Sequence, residues 1–156
     1  MTRYAEQTTV PADRSRAEIE RTLDRYGAEA FRYAKAKDYA AIEFAADNRH
    51  IRFVLPLPDR ESLEFTQTPT GRERTTAQAE KAYDQAVRQR WRALALMVMA
   101  KLEAVEAGIV TFEEEFLAHT VLPSGRTVAE DVMPAIEAAY VNKSVAPLQI
   151  EGVRRG

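Results

Sequence analysis

The chain has 156 residues, no cysteine, 46% hydrophobic and 29% charged residues, and a formal net charge of −2. This composition is that of one ordinary globular domain, and it excludes disulfides, thiol nucleophiles, sulfur-ligated zinc and a polycation that coats nucleic acid. The polar N-terminus lacks the apolar segment of a secretory signal, and the longest apolar run, Ala93–Ala100, is far shorter than the roughly 18 residues of a membrane span. We therefore expect a soluble cytoplasmic protein with no membrane partner.

The N-terminal segment 1–14 is polar and predicts an arm that is either disordered or laid over the domain. A first helix is expected to begin at the capping box Ser15-x-x-Glu18, in which two side chains satisfy free backbone amides of the first turn. Gly27 suits the left-handed residue that ends such a helix. Apolar residues between these limits recur at helical spacing, at Ile19, Leu23 and Tyr26.

Three β-strands are expected next. Apolar residues alternate with polar or small ones around Phe31 and Tyr33, in 39–46 and in 49–57, which is typical of half-buried strands. Asp47-Asn48 lies between the last two runs and favours a tight hairpin, because both residues tolerate positive φ. The pattern predicts a three-stranded antiparallel meander with one apolar face.

Residues 59–74 combine turn residues with charges and predict a long surface loop, with Leu63 and Phe65 as tethers. A long helix is expected from about Thr76 to Ala107, between a capping box at Thr75 and Gly108. About 32 residues span about 48 Å, so its N-terminal half should project or pack against a second copy. One apolar stripe predicts its buried face: Tyr83, Val87, Trp91, Leu94, Val98, Leu102 and Val105.

Two short helices should close the domain. Capping boxes begin them at Thr111 and Thr127, and Pro134 is expected to kink or restart the second. The chain is therefore predicted to be one α+β domain over 15–141, followed by an irregular tail over 142–156. Its elements are an N-terminal helix, a three-stranded antiparallel meander, one long central helix and short C-terminal helices.

Charge is divided between two parts of the chain. Six basic residues stand against three acidic ones in 72–92, whereas eight acidic residues stand against Arg126 alone in 103–137. This division predicts a basic arm and an acidic end, which are either two poles of one molecule or complementary faces of an oligomer.

Arg14, Ser15 and Arg16 are the first candidate anion-binding group. They stand at the predicted start of the first helix, where free amides and the helix dipole favour a phosphate. The alternative is an ordinary capped helix with solvated arginines.

Arg88, Trp91 and Arg92 are the second candidate group. Arg88 and Arg92 share one face of the long helix, so both guanidinium groups can reach one phosphate while Trp91 stacks a base. The alternative, which the spacing favours for Trp91, places this residue in the apolar stripe. The arginines then pair with Asp84 or with the third helix.

The polar face of the meander is a weaker nucleic-acid candidate. Basic, aromatic-bearing sheet faces bind nucleic acid in several modules, but Glu43 and Asp47 dilute the charge here and no ribonucleoprotein-type motif is present. The residues concerned are Arg32, Lys35, Lys37, Tyr39, Arg49, His50 and Arg52.

Nothing in the sequence points to catalysis. No Gly-rich phosphate loop, H-E-x-x-H or G-x-S-x-G motif occurs, so we favour a non-catalytic protein and predict no cofactor. Glu115 and His119 are four residues apart and could share a metal, but a site needs more ligands. A solvated acidic face, and hence no metal site, is the preferred interpretation.

Three segments carry a resemblance: TTVPADRSRAEIERTLDRYGAEAF, IRFVLPLP and RQRWRALALMVMAKLEAVEAGIVTFEEEFLAHTVLPSGRTV. They resemble a small protein family common in tailed phages and prophages, over about residues 8–130. The resemblance implies a phage accessory factor in the host cell that binds nucleic acid, a host protein or a host immune nucleotide signal.

The leading hypothesis is a non-catalytic, oligomeric phage protein that binds an anionic nucleotide-like ligand, for instance to sequester a host defence signal. The first alternative is a single-stranded nucleic-acid-binding factor in phage recombination or replication, and the second is an inhibitor of a host defence protein. The proposed ligand-binding residues are Arg14, Ser15, Arg16, Arg88, Trp91 and Arg92.

Overall fold

The computed structural model describes residues 5–142, so residues 1–4 and the predicted tail after Asn142 lie outside the described part. The predicted α+β fold is confirmed. The elements are α1 (Ala12–Tyr26), β1 (Ala30–Lys35), β2 (Tyr39–Ala46), β3 (Arg49–Pro56), α2 (Leu63–Thr66), α3 (Thr76–Glu106), α4 (Phe112–Glu115), a 3-10 turn (Leu117–His119) and α5 (Val128–Val141).

The three strands form an antiparallel sheet in the order β1-β2-β3. Asp47 and Asn48 make the β2–β3 hairpin with φ values of 49° and 58°, as a two-residue turn with positive φ at both positions requires. Alternate residues of each strand point to opposite faces, so one face is apolar and packs against the helices. The opposite face carries the row Arg32–Glu43–Arg52.

The core lies between the apolar face of the sheet and the helices α1, α3 and α4. Ile19 and Leu23 of α1 are completely buried, and α4 is followed by the buried Phe116, whose ring lies 5.9 Å from that of Phe44. The predicted apolar stripe of α3 is confirmed, since Trp91, Leu94, Val98 and Leu102 are all buried.

The predicted start of α1 is wrong. The Pro11 carbonyl accepts a hydrogen bond from the Ser15 amide, so the helix extends one turn further toward the N-terminus and begins at Ala12. Ser15 is therefore an interior residue rather than a cap. Its side chain is completely buried, and its Oγ has no hydrogen-bond partner among residues 5–142.

The segment between β3 and α3 is more ordered than the predicted loop, because it contains α2. Phe65 is buried and packs edge-to-face on Tyr83 with ring centroids 5.6 Å apart, which confirms one tether. Leu63 is 68% exposed, so the other predicted tether is wrong.

The N-terminal half of α3 does not project freely. α2 packs against it on one side, and the N-terminal arm lies against Gln85, whose amide donates hydrogen bonds to the carbonyls of Glu6 and Thr8 at 3.3 and 2.8 Å. The arm is predicted to be either disordered or laid over the domain, and its described part lies over the domain.

The C-terminal helix α5 is long and exposed. It begins at the predicted capping box of Thr127 and continues through Pro134 without a restart. Proline cannot donate to the Glu130 carbonyl, but Arg126 Nη2 donates to that oxygen at 3.0 Å and replaces the missing donor. None of its residues is buried, and five large apolar side chains are 43–74% exposed: Val132, Met133, Ile136, Tyr140 and Val141.

No helix within residues 5–142 has both the length and the apolar character needed to cross a membrane.

Candidate functional site

Helices α1 and α3 pack side by side and run in the same direction. The arm that precedes α1 meets Gln85, and Glu18 meets Arg92 one to two turns further along each helix. Toward the other end, a cleft of about 400 Å³ is lined jointly by Tyr26 of α1 and Glu106 of α3. Contacts thus advance along both helices together, which fixes a parallel arrangement.

This parallel packing brings the two predicted arginine groups to the same seam. Glu18 and Arg92 form an ion pair across it, with side chains 31% and 23% exposed. Arg14 precedes Glu18 by four residues and Arg88 precedes Arg92 by four, so each lies on the same helix face as its neighbour. Helical spacing therefore places Arg14 and Arg88 one turn before the ion pair, on the helix faces that carry Glu18 and Arg92.

Two further arginines of α1 extend the row. Arg21 and Arg25 follow Glu18 at spacings of three and seven residues, and both line a cleft of about 410 Å³ together with Glu18, Asp24 and, from α3, Met99. We call the five residues Arg14, Arg21, Arg25, Arg88 and Arg92 the arginine seam.

The guanidinium groups of the arginine seam differ in how they are held. Arg88 donates two hydrogen bonds to Gln85 Oε1, at 2.6 and 3.2 Å, and Arg25 makes one long contact of 3.5 Å with Thr22. Arg14 and Arg21 are exposed, and in the part of the chain that the structure describes their side chains have no hydrogen-bond or ion-pair partner. The seam therefore presents cationic donors that are free to bind an anion.

Three of the six predicted ligand-binding residues are not on this surface. Trp91 is 4% exposed, and its ring lies 5.7 Å from that of Tyr33 in the core. The Arg16 guanidinium lies over the same Tyr33 ring at 4.3 Å, and Ser15 is buried. Ser15 and Trp91 thus do not fit the predicted role, because their positions on the helices face the core.

Arg21 and Arg25 were not among the predicted site residues. The signal that identifies them is the 14-18-21-25 spacing, which places four charged residues on the solvent face of α1. It becomes informative only once α3 is known to supply Arg88 and Arg92 beside that face.

The outer face of the sheet offers a second basic cluster, in which Arg32 and Arg52 are paired with Glu43. The Glu43 carboxylate accepts hydrogen bonds from Arg32 and, at 2.6 Å, from Arg52 Nε, while His50 Nε2 lies 3.3 Å away. Burial alone would raise the pKa of Glu43, but the hydrogen bonds from Arg52 and Arg32 outweigh it and lower that pKa. Arg52 is bound further to the Gly125 carbonyl at 2.8 Å. This network neutralises Arg32 and Arg52, whereas Lys35, Lys37 and Arg49 are exposed and have no carboxylate partner within residues 5–142.

The Glu115–His119 pair does not form a metal site. Glu115 accepts a hydrogen bond from Lys101 Nζ at 3.0 Å, whereas the His119 ring packs on Phe53 with centroids 4.2 Å apart. Burial, and then the charge of Lys101, lower the pKa of His119. Within residues 5–142 no group of three or more His, Asp or Glu side chains is arranged to hold a metal ion.

Comparisons with known proteins return no matching family model, no matching curated protein and no matching solved structure.

Proposed function

We propose that this protein is a non-catalytic binding protein that holds the phosphate groups of single-stranded nucleic acid along the arginine seam. The carrying observation is that the Glu18–Arg92 ion pair joins α1 to α3 and that Arg21 and Arg25 line the adjoining cleft. Helical spacing adds Arg14 and Arg88 one turn before the ion pair. The chain as a whole carries a net charge of −2, so these arginines form a local positive region and are not part of an overall positive charge.

The shape of the arginine seam favours an extended anion. Arg14 and Arg25 are separated by 11 residues, or about 16 Å along the helix axis, which is more than one phosphate group spans. The cleft at Arg21 and Arg25 lies between α1 and Met99 of α3, and the proposed ligand is one strand rather than a duplex. The buried Trp91 offers no stacking surface, so binding should depend on the phosphates and show little base preference.

The resemblance to phage proteins suggests a setting for this activity. A small accessory factor that covers single strands would act in phage recombination or replication. This setting is part of the proposal and follows from the resemblance alone.

The experiment is a fluorescence-anisotropy titration of labelled single-stranded DNA at several salt concentrations. Each phosphate contact to a single strand contributes a slope of about −0.7 to the log–log salt dependence, so a filled seam should give roughly −3. Arg14→Ala and Arg21→Ala should each reduce the affinity several-fold. Arg72→Ala is the matched control, because Arg72 is also exposed and no partner of its side chain lies within residues 5–142.

The same titration is repeated with duplex DNA and with a panel of linear and cyclic nucleotides. Equal losses in Arg14→Ala and Arg72→Ala, or affinity that does not change with salt, would contradict the proposal.

A second candidate function is capture of a nucleotide-like signal molecule. The observation that favours it is the cleft of about 410 Å³ that Arg21 and Arg25 line together with Thr22, Glu18 and Asp24. This volume lies in the range of small-molecule sites. Calorimetric titration that gives heat with a cyclic or linear nucleotide, together with no binding of the oligonucleotide, would support this function over the first.

A further inference from the structure

The two edges of the sheet differ in how they are covered. On the β3 side, the Val121 amide donates a hydrogen bond to the His50 carbonyl at 2.8 Å, and Ile51 is bridged to Thr120. A later segment of the same chain therefore covers part of this edge. β1 forms the opposite edge, and β2 is the one strand within residues 5–142 that pairs with it.

The register shows which backbone groups of β1 point away from the sheet. In an antiparallel ladder, alternate residues direct their N–H and C=O groups toward the neighbouring strand and away from it. The Ala36 amide donates to the Tyr39 carbonyl at 2.8 Å, so every second residue from Ala36 back to Ala30 is directed toward β2. The residues directed outward are Phe31, Tyr33 and Lys35. In the described part of the chain, their outward N–H and C=O groups have no hydrogen-bond partner.

This edge is open to solvent and suited to an extended backbone. Ala30, Arg32, Ala34 and Lys35 are exposed, so solvent reaches the strand along its length. β1 has six residues and contains no proline, which would remove a donor from the row. A row of unpaired N–H and C=O groups is satisfied by another β-strand, so a strand is the partner that fits this edge.

We propose that β1 of a second copy of this chain pairs with this edge in the antiparallel direction, about a two-fold axis through Tyr33. Phe31 then lies opposite Lys35 of the second copy, and Arg32 lies opposite Ala34 of the second copy. A two-fold contact requires a surface that is complementary to itself, and the outward groups of β1 meet this requirement. The two three-stranded sheets join into one continuous sheet.

The charges at the two ends of β1 favour a second copy and this register. Glu29 precedes the strand and Lys37 follows it; both side chains are exposed, and neither has an ion-pair partner within residues 5–142. The axis through Tyr33 brings Glu29 of each copy beside Lys37 of the other. An axis through Arg32 would oppose two like charges directly, which destabilises a strand pair.

Lys35 is compatible with the pairing. Lysine on an edge strand commonly discourages association, because its charge is left against an apolar or like-charged neighbour. In the proposed register Lys35 meets the ring of Phe31 of the second copy, and a cation beside an aromatic ring is favourable.

This pairing does not rest on the proposed nucleic-acid function. The β1 edge belongs to the sheet, whereas the arginine seam lies on α1 and α3. A two-fold axis normal to the sheet keeps the helices of both copies on the same face, so the seam of each copy stays with its own helices.

Lys35→Pro tests the backbone pairing by sedimentation analysis. Proline removes an N–H that is directed outward, so the dimer should weaken at least about tenfold while the β1–β2 hydrogen bonds remain. Thermal unfolding of the variant should therefore stay close to that of the wild-type monomer. Lys35→Ala keeps the N–H and is the matched control, which should remain dimeric.

Charge reversal tests the register. Glu29→Lys and Lys37→Glu should each weaken the dimer about tenfold, because each places like charges at both ends of the strand pair. The double variant Glu29→Lys/Lys37→Glu should recover the dimer. An equimolar mixture of the two single variants should also pair, since each then meets opposite charges on the other.

Hydrogen exchange tests the same contact without a substitution. The amides of Phe31, Tyr33 and Lys35 should exchange slowly at high protein concentration and rapidly after dilution. The amides of Arg32 and Ala34 are directed toward β2 and should be protected at both concentrations.

A wild-type chain that stays monomeric at its highest soluble concentration would overturn the proposal. So would a dimer that is as stable in Lys35→Pro as in Lys35→Ala, which would place the contact on another surface such as α5. Protection of the outward amides that does not change with concentration would assign the edge to another part of the same chain. No recovery in the double variant would overturn the register.

Discussion

Glu18 of α1 and Arg92 of α3 form an ion pair between two residues that are 74 positions apart in the chain. Both side chains are roughly a quarter to a third exposed, so the pair contributes only about 0.5–1 kcal/mol to stability. Its larger consequence concerns the arginine seam, because the Glu18 carboxylate neutralises Arg92, one of the five guanidinium groups. Glu18 is therefore an internal competitor of any bound phosphate.

Glu18→Gln should increase the affinity for single-stranded DNA about threefold to tenfold, because Arg92 is then released to a phosphate. Anisotropy titration at low salt measures the change. Glu20→Gln is the control, since Glu20 is an exposed residue on another face of the same helix. An equal gain in both variants would mean that only net charge matters.

Ser15→Ala should leave stability unchanged or raise it by up to about 1 kcal/mol. The Ser15 hydroxyl is buried without a hydrogen-bond partner among residues 5–142, so its removal relieves a desolvation cost. A serine that capped the helix would behave oppositely and lose about 1 kcal/mol. Denaturant unfolding distinguishes the two, and a clear loss would restore the capping role.

Trp91 is the single tryptophan, so intrinsic fluorescence reports on it alone. At 4% exposure it should emit at short wavelength, resist quenching by acrylamide and stay unchanged when DNA binds. Trp91→Ala should cost about 3–5 kcal/mol of stability, as for other buried aromatic residues. Strong quenching protection that appears only on adding DNA would instead place Trp91 in the ligand site.

Tyr26 makes stability depend on alkaline pH. Burial, and then its hydrogen bond to Asp47, raise the pKa of Tyr26 from 10.0 to about 12. A folded-state pKa above the unfolded one means that the phenol stabilises the fold fully below pH 10 and loses this contribution as the pH rises toward 12. Tyr26→Phe should therefore be less stable by about 1 kcal/mol at neutral pH.

The difference between wild type and Tyr26→Phe should disappear at the alkaline end of the range. Denaturant unfolding at several pH values measures it, and a difference that stays constant across the range would contradict the assignment.

Arg126 should be needed for the second half of α5. Its guanidinium donates to the Glu130 carbonyl, which Pro134 leaves without a backbone donor. Arg126→Ala should speed amide hydrogen exchange at 135–141, with little change in α3. Pro134→Ala restores the backbone donor, so the double variant Arg126→Ala/Pro134→Ala should recover the protection; no recovery would assign the loss to the Arg126–Asp131 ion pair instead.

The local sequence determined most of the fold. The capping boxes at Thr75, Thr111 and Thr127 form as predicted, and Asp47-Asn48 makes the predicted hairpin. Each of these features satisfies the hydrogen bonds of its own backbone groups within a few residues. It can therefore be predicted from the local sequence alone. The buried stripe of α3 that contains Trp91 can be predicted for a similar reason, since the spacing of apolar residues along a helix defines its buried face.

Tertiary packing decided the functional surface. Ser15-x-x-Glu18 matches a capping box as well as Thr75-x-x-Gln78 does, yet Pro11 begins the helix earlier and Arg92 takes the Glu18 carboxylate. Whether Arg14 and Arg88 lie on the same surface depends on the parallel contact between α1 and α3. These helices are separated along the chain by three strands and α2. Such contacts are set by how the whole core closes, and spacing within one helix carries no information about them.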